Sequence, residues 1–195
     1  MYSKLSTQAI VLKVDDVGER DVLLSLFTRE FGFVYAKATG VRTQSSRLRF
    51  TLQSMTLCFV SLVHGKTGWI LTNASFVKSY YFDCESFEQR QTISKIISLI
   101  KRLYIGEEAH LDLFDFLKSH FDMLCFENFT IEQAKHLEIF IVFKMLEKLG
   151  YVENSEIVKP LLKADEYTVK IKEYVKEFQK QITPFINSAI RASGL

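Results

Sequence analysis

Near residue 80 the spacing of apolar residues changes, and with it the kind of element the chain can form. Upstream of that point the apolar runs are short, β-branched and broken by turn residues. Gln8 to Lys13 is such a run, and Asp15-Asp16-Val17-Gly18 ends it with turn chemistry, so residues 7–14 are predicted to be a strand. Asp21 to Thr28 is ambiguous between a strand and a helical turn. Glu30-Phe31-Gly32 closes it, however, and the β-like run Phe33 to Ala38 follows at once, so a hairpin is the economical reading. Gly40 to Ser46 is a polar loop. Leu48 to Val63 and Trp69 to Val77 are two long β-prone runs joined by His64-Gly65-Lys66-Thr67-Gly68. Five strands and almost no helix match a small Greek-key barrel such as the OB-fold.

Beyond Asp83 the apolar period is that of helices. Ile93, Ile96, Ile97, Ile100, Leu103 and Tyr104 recur at three and four residues. Leu111, Phe114, Leu117, Phe121 and Leu124 do the same, and Leu137, Phe140, Ile141, Lys144, Met145 and Leu149 nearly so. Thr130 and Gln133 have capping-box spacing, and Gly150 stands where a helix should stop. Pro160 and Pro184 are expected to punctuate shorter helical segments, with residues 167–181 amphipathic between them. The predicted class is therefore α+β: a five-stranded OB-fold barrel over residues 1–80, then an all-helical domain over residues 81–195. With no Gly/Ser linker between them, a tight junction near residues 80–86 is expected.

Composition excludes several classes. A chain of 195 residues that is 48% hydrophobic, with 17 Phe and 8 Tyr but only 8 Gly and 2 Pro, is neither a disordered tail nor a collagen-like fibre. Cys58, Cys84 and Cys125 lie more than 25 residues apart, which offers neither a C-x-x-C clip nor a disulfide framework, and a reducing cytoplasm is the expected setting. The first residues lack the apolar core of a signal peptide, and the longest apolar stretch, residues 57–63, is interrupted by Ser61, so no membrane association is expected. Gly65-Lys66-Thr67 ends like a P-loop, but Val60 stands where that motif requires glycine and a β-run follows it; a hairpin turn is predicted and ATP hydrolysis is not. His64, His110, His120 and His136 show no metal-ligand spacing, and no nucleophile elbow or cysteine signature is present. No catalytic residue, metal, cofactor or small-molecule substrate is expected.

The net charge of +2 hides an asymmetry. Residues 1–80 carry +5 and residues 81–195 carry −3, and no carboxylate occurs between Glu30 and Asp83. That interval holds Lys37, Arg42, Arg47, Arg49, Lys66 and Lys78, an invitation to a polyanion. Alternation along residues 33–38 places Phe33, Tyr35 and Lys37 outward and Val34, Ala36 and Ala38 inward. Outward aromatics beside a basic loop are the stacking-plus-phosphate combination of single-strand binders. The candidate DNA-binding residues are Tyr35, Lys37, Arg42, Arg47, Arg49 and Lys66.

These residues sit within a longer pattern. Ala9-Ile10-Val11-Leu12-Lys13, Gly18-Glu19-Arg20-Asp21, Leu26-Phe27-Thr28-Arg29-Glu30-Phe31-Gly32, Gly40-Val41-Arg42, Ser46-Arg47-Leu48, Leu52-Gln53 and Leu149-Gly150-Tyr151 together resemble the bacterial recombination mediator family RecO. The resemblance implies an N-terminal OB-fold, a helical C-terminal domain and annealing of complementary strands. It also implies help in loading RecA onto DNA coated with single-strand-binding protein, together with RecR. Thr39 and Thr43 occupy places where the family often carries basic residues. Many members hold zinc through four cysteines after the Leu-Gly-Tyr helix, whereas residues 152–163 contain none, so this chain resembles a zinc-less variant.

The expected function is thus that of a non-enzymatic, cytoplasmic and nucleoid-associated protein of DNA repair. Its expected partners are single- and double-stranded DNA, RecR, single-strand-binding protein and, indirectly, RecA. Lys95, Lys101 and Arg102 are candidates for receiving the acidic tail of single-strand-binding protein. A protein-binding adaptor whose barrel is only a scaffold is the alternative. A nuclease would need clustered carboxylates, which the acid-free interval denies to the barrel.

Overall fold

Strand β1 (Lys4–Val17) is long enough to serve two neighbours, and this closes the N-terminal sheet on itself. Its first part pairs antiparallel with β4 (Thr56–Gly65), from Lys4↔Val63 to Ile10↔Leu57, and its later part with β2 (Asp21–Thr28), from Ala9↔Thr28 to Val17↔Asp21. The β1–β2 register shifts between Val11 and Lys13, the irregularity that bends a strand round a barrel corner. β2 pairs with β3 (Gly32–Ala38), β3 runs parallel to β5 (Gly68–Ser79), and β5 pairs with β4. The ring order β1-β2-β3-β5-β4 is an OB-fold barrel.

The computed structural model describes residues 3–104, 106–127 and 129–192. Two units divide the chain: residues 1–85 with 105–118, and residues 86–104 with 119–195. Small and branched side chains fill the barrel, among them Ala9, Val11, Leu24, Val34, Ala36, Ala38, Val60 and Leu62, all buried. Alanines face inward where the lumen of a small barrel is too narrow for larger groups.

Two strand readings need correction. Leu48 to Val63 is not one β-run: residues Leu48–Thr51 form a single helical turn, α1, and the strand begins only at Thr56. Leu48 packs on the barrel core and Leu52 is buried in it, so the turn anchors its apolar side there, and Met55 at φ 66° redirects the chain into β4. Phe33, expected outward with Tyr35, is buried. Its amide donates to the Gly106 carbonyl at 3.2 Å, and residues 106–118 return to the barrel unit at this point. Arg29 fixes that segment by a bidentate pair to Asp115 at 2.9 and 2.8 Å, and the Phe27 and Phe114 rings lie 5.6 Å apart. The pair with Arg29 holds the Asp115 carboxyl below its ordinary pKa.

The connection from β4 to β5 is the hairpin expected at Lys66-Thr67, with Gly65 opposite Gly68. Gly68 has φ 113°, a backbone that a side chain would strain. After β5 comes a short turn, α2 (Tyr80–Asp83).

Helices α3 (Phe87–Leu103), α4 (Leu111–Phe126), α5 (Ile131–Lys148), α6 (Lys159–Leu162) and α7 (Val169–Ala192) follow. Capping boxes start two of them: Ser86 with Gln89 at α3, and Thr130 with Gln133 at α5, as the spacing predicted for the latter. In the second unit α5 packs against α3, α6 and α7, and Ile93, Ile97, Leu137, Phe140, Ile141, Val175 and Ile182 are buried. Lys144, inside the apolar pattern of α5, is buried and pairs with Glu147 at 2.5 Å. Pro184 does not end a segment as expected. It lies inside α7, between the buried Ile182 and Ile186, whose packing carries the helix through the lost hydrogen bond.

Cys58 is a free thiol whose burial pushes its pKa up to about 12. Among the described residues no helix is long and apolar enough to cross a membrane. Truncating the fully buried Leu24 to alanine is expected to cost about 2–5 kcal/mol, read as a lower urea midpoint with an unchanged m-value.

Candidate nucleic-acid interface

Three elements carry the basic residues of the barrel: the end of β3, the loop from Gly40 through α1, and the β4–β5 turn. Val22↔Ala38 pairing sets the end of β3 beside the β1–β2 turn, and the loop folds back on that turn, with the Arg42 amide donating to the Arg20 carbonyl at 3.0 Å. This turn is acidic. Asp21 takes the Lys37 ammonium at 2.9 Å and the Gly40 amide at 3.0 Å. Asp16 pairs with Arg42 at 3.1 Å, while Arg42 also donates to the Gly18 carbonyl at 2.5 Å. Gly40, at φ 68°, makes the left-handed turn that brings its amide to Asp21.

Two of the six cations that lack an acidic neighbour in sequence therefore have one in space. The Lys37 bond, and after it the Gly40 amide, hold the Asp21 carboxyl below its usual pKa. Lys37 and Arg42 shape the loop, and their charge is largely compensated where they stand. Arg47, Arg49 and Lys66 differ: all three are exposed, and among the described residues none has an ion-pair or hydrogen-bond partner for its side chain. Arg47 and Arg49 flank Leu48 on α1, and Lys66 caps the β4–β5 turn.

Tyr35 stands outward on β3, 58% exposed, with its ring edge-to-face against Phe33 at 4.9 Å. The parallel pairing Lys37↔Ile70 extends this outer strip to β5. Phe50 on α1 is 76% exposed, whereas the alternation of a strand over residues 48–63 would put it on one face with Leu48 and Leu52. One signal for it exists in the sequence: Leu48, Thr51 and Leu52 have the spacing of a single helical turn's inner side, which turns Phe50 outward.

In the helical unit, Lys95 and Arg102 line one groove of about 470 Å³ between α3, α5 and α7, floored by Leu99, Ile139 and Ile186. Lys95 reaches Glu138 at 3.4 Å. Lys101, next to Arg102 in sequence, does not line this groove. Among the described residues no group of three or more His, Cys, Asp or Glu side chains is arranged to hold a metal ion.

Residues 1–80 match the family model described as recombination protein O N terminal. Proteins called DNA repair protein RecO are similar over most of the chain. That of Heliobacterium modesticaldum is 30% identical over 147 residues, covering 74% of this chain and 50% of that protein. The Clostridium novyi protein is 30% identical over 155 residues, covering 76% and 57%. The Pelotomaculum thermopropionicum protein is 33% identical over 106 residues, covering 54% and 41%. The chain spans about half the length of the relatives it matches.

Asp21 supplies a test of the loop geometry. A carboxyl with a lowered folded pKa stabilises above the unfolded value of about 3.9, and that contribution is lost as pH falls through the lower folded value. The Gly40 amide resonance is expected to stay constant from pH 7 to 5 and to titrate with a midpoint below about 3.9. A midpoint at or above that value would mean that the carboxylate does not hold the loop.

Proposed function

The chain belongs to the RecO family of DNA repair proteins, and from that membership and the barrel's basic rim we propose that it is a non-enzymatic, DNA-binding recombination mediator. In this reading it anneals complementary single strands and, with RecR, assists RecA loading onto strands coated with single-strand-binding protein. It does so in the cytoplasm, at the nucleoid. The observation that carries the proposal is the trio Arg47, Arg49 and Lys66: exposed cations without a protein partner among the described residues, on a barrel whose interior is filled.

Cations left unpaired on the surface are available to a polyanion, and each phosphate contact they make releases condensed counterions. Phosphate contacts position a strand without reading its bases, which suits a protein that must accept any sequence. Annealing gains its driving force from base pairing itself. The protein's part is to neutralise the repulsion between two strands, and that needs no nucleotide hydrolysis. Lys37 and Arg42 enter as supports that hold the loop to the acidic turn, and Tyr35 offers a ring beside them.

The helical unit supplies the second half of the proposal. An acidic peptide with an apolar end fits the groove of Lys95 and Arg102, where the aliphatic floor takes the apolar end and the cations take the carboxylates. Lys101 lies off this groove.

Single-strand affinity should fall with salt at a log–log slope of about −2, from roughly 0.7 per contact for three cations. The double change Arg47→Ala and Arg49→Ala should flatten that slope by about 1.4 for all sequences alike, measured by fluorescence anisotropy. An unchanged slope would assign the arginines to solvent. Wild-type protein that binds no DNA would favour an adaptor working through its helical groove. Annealing of complementary oligonucleotides by the pure protein should proceed at the same rate with and without ATP, and a requirement for ATP would contradict the proposal.

A further inference from the structure

Helix α1 is one turn long and two-sided. Leu48 packs on the barrel core, Thr51 is buried, and Leu52, whose amide donates to the Leu48 carbonyl at 2.8 Å, is 3% exposed within that core. Arg47, Arg49 and Phe50 are left on the other side, all exposed. At 76%, Phe50 is the most exposed large apolar side chain among the described residues. Its ring has no partner among them. Packing does not account for a phenylalanine held there, since its ring adds nothing to the barrel interior.

We propose that Phe50 is a base-stacking platform that makes the basic rim prefer single-stranded over duplex DNA. The inference rests on the reading that this rim binds DNA, and adds which form of DNA it selects and through which side chain. Arg47 precedes Phe50 by three residues, so the cation and the ring are neighbours on one helical face. A nucleotide offers the complementary pair: a phosphate for the guanidinium and a flat base for the ring. Every base has a π-face, so the contact tolerates any sequence, and an aromatic ring fixed by a short anchored turn loses little freedom on binding. In a duplex each base is already stacked on its neighbours and has no free face for Phe50. Duplex DNA therefore meets only Arg47, Arg49 and Lys66. The charge beside the ring favours this occupant over an apolar protein surface, because Arg47 and Arg49, both exposed and without an ion-pair partner among the described residues, stand next to it on the same turn.

The test compares wild type, Phe50→Ala and Phe50→Trp on three probes of equal length: oligothymidylate, the matching duplex, and a strand whose central nucleotides are abasic. Phe50→Ala should weaken oligothymidylate binding about fivefold or more, from the worth of one stacked base, and change duplex and abasic binding less than twofold. Phe50→Trp should restore the single-strand affinity, and its indole fluorescence, above the Trp69 background, should be quenched by oligothymidylate but not by the abasic strand. Equal losses on all three probes, or no loss on any, would overturn the inference while leaving DNA binding by the rim in place. Wild-type protein that binds none of the probes would instead remove the DNA-binding reading, and this inference with it. Because Phe50 is exposed, its melting temperature and circular dichroism should match wild type, and a variant that fails this check is replaced by Phe50→Leu, which keeps apolar bulk without a π-face.

Discussion

Closure of the barrel by β1 is the constraint on which the rest depends. A single fourteen-residue strand pairs with β4 through its first half and β2 through its second, bending between Val11 and Lys13. Once closed, the sheet between β3 and β5 has a parallel seam, and the chain must travel from the end of β3 to the start of β4 outside the barrel. The loop from Gly40 and α1 is that path. Leu48 and Leu52 pin it to the same core that closure creates, so the direction of Arg47, Arg49 and Phe50 follows from the packing of residues that never touch a ligand.

Electrostatics then separates two kinds of cation. The β1–β2 turn carries Asp15, Asp16, Glu19 and Asp21 and lies beside the end of β3 by register. It neutralises Lys37 and Arg42 and fastens the Gly40 amide, which turns part of an apparently free basic patch into a brace. What remains available is smaller than the charge count suggests and better placed, because its members stand on anchored elements. On the proposed function, a modest cationic rim suits a strand that is both held and released, since each contact contributes little and is screened by salt.

The strands, the hairpin at Lys66-Thr67, the helical second half and the Thr130 capping box were legible in the sequence because each is encoded within a few residues. The failures share a cause of the opposite kind. Phe33 is buried where the backbone of Gly106 meets it, more than seventy residues away in sequence, and no alternation pattern reports that. Asp21 and Asp16 reach Lys37 and Arg42 from another strand end, so an acid-free interval in sequence is not acid-free in space. α1 was hidden because Leu48 to Val63 is β-prone throughout and only tertiary anchoring of Leu48 and Leu52 favours a helical turn there. Of the candidate site, Tyr35, Arg47, Arg49 and Lys66 stand exposed as the sequence suggested, and Phe50 joins them by an argument from packing alone.

The central proposal is that DNA binds to the barrel through the loop after β3, the α1 turn and the β4–β5 hairpin. Titration of isotope-labelled protein with a short oligothymidylate, followed residue by residue through backbone amide resonances, tests it most directly. The account predicts shifts concentrated at residues 39–50 and 65–70, with the amides of β1 and of α3, α5 and α7 unmoved. Shifts centred on the helical unit, or none at concentrations that saturate binding, would contradict it.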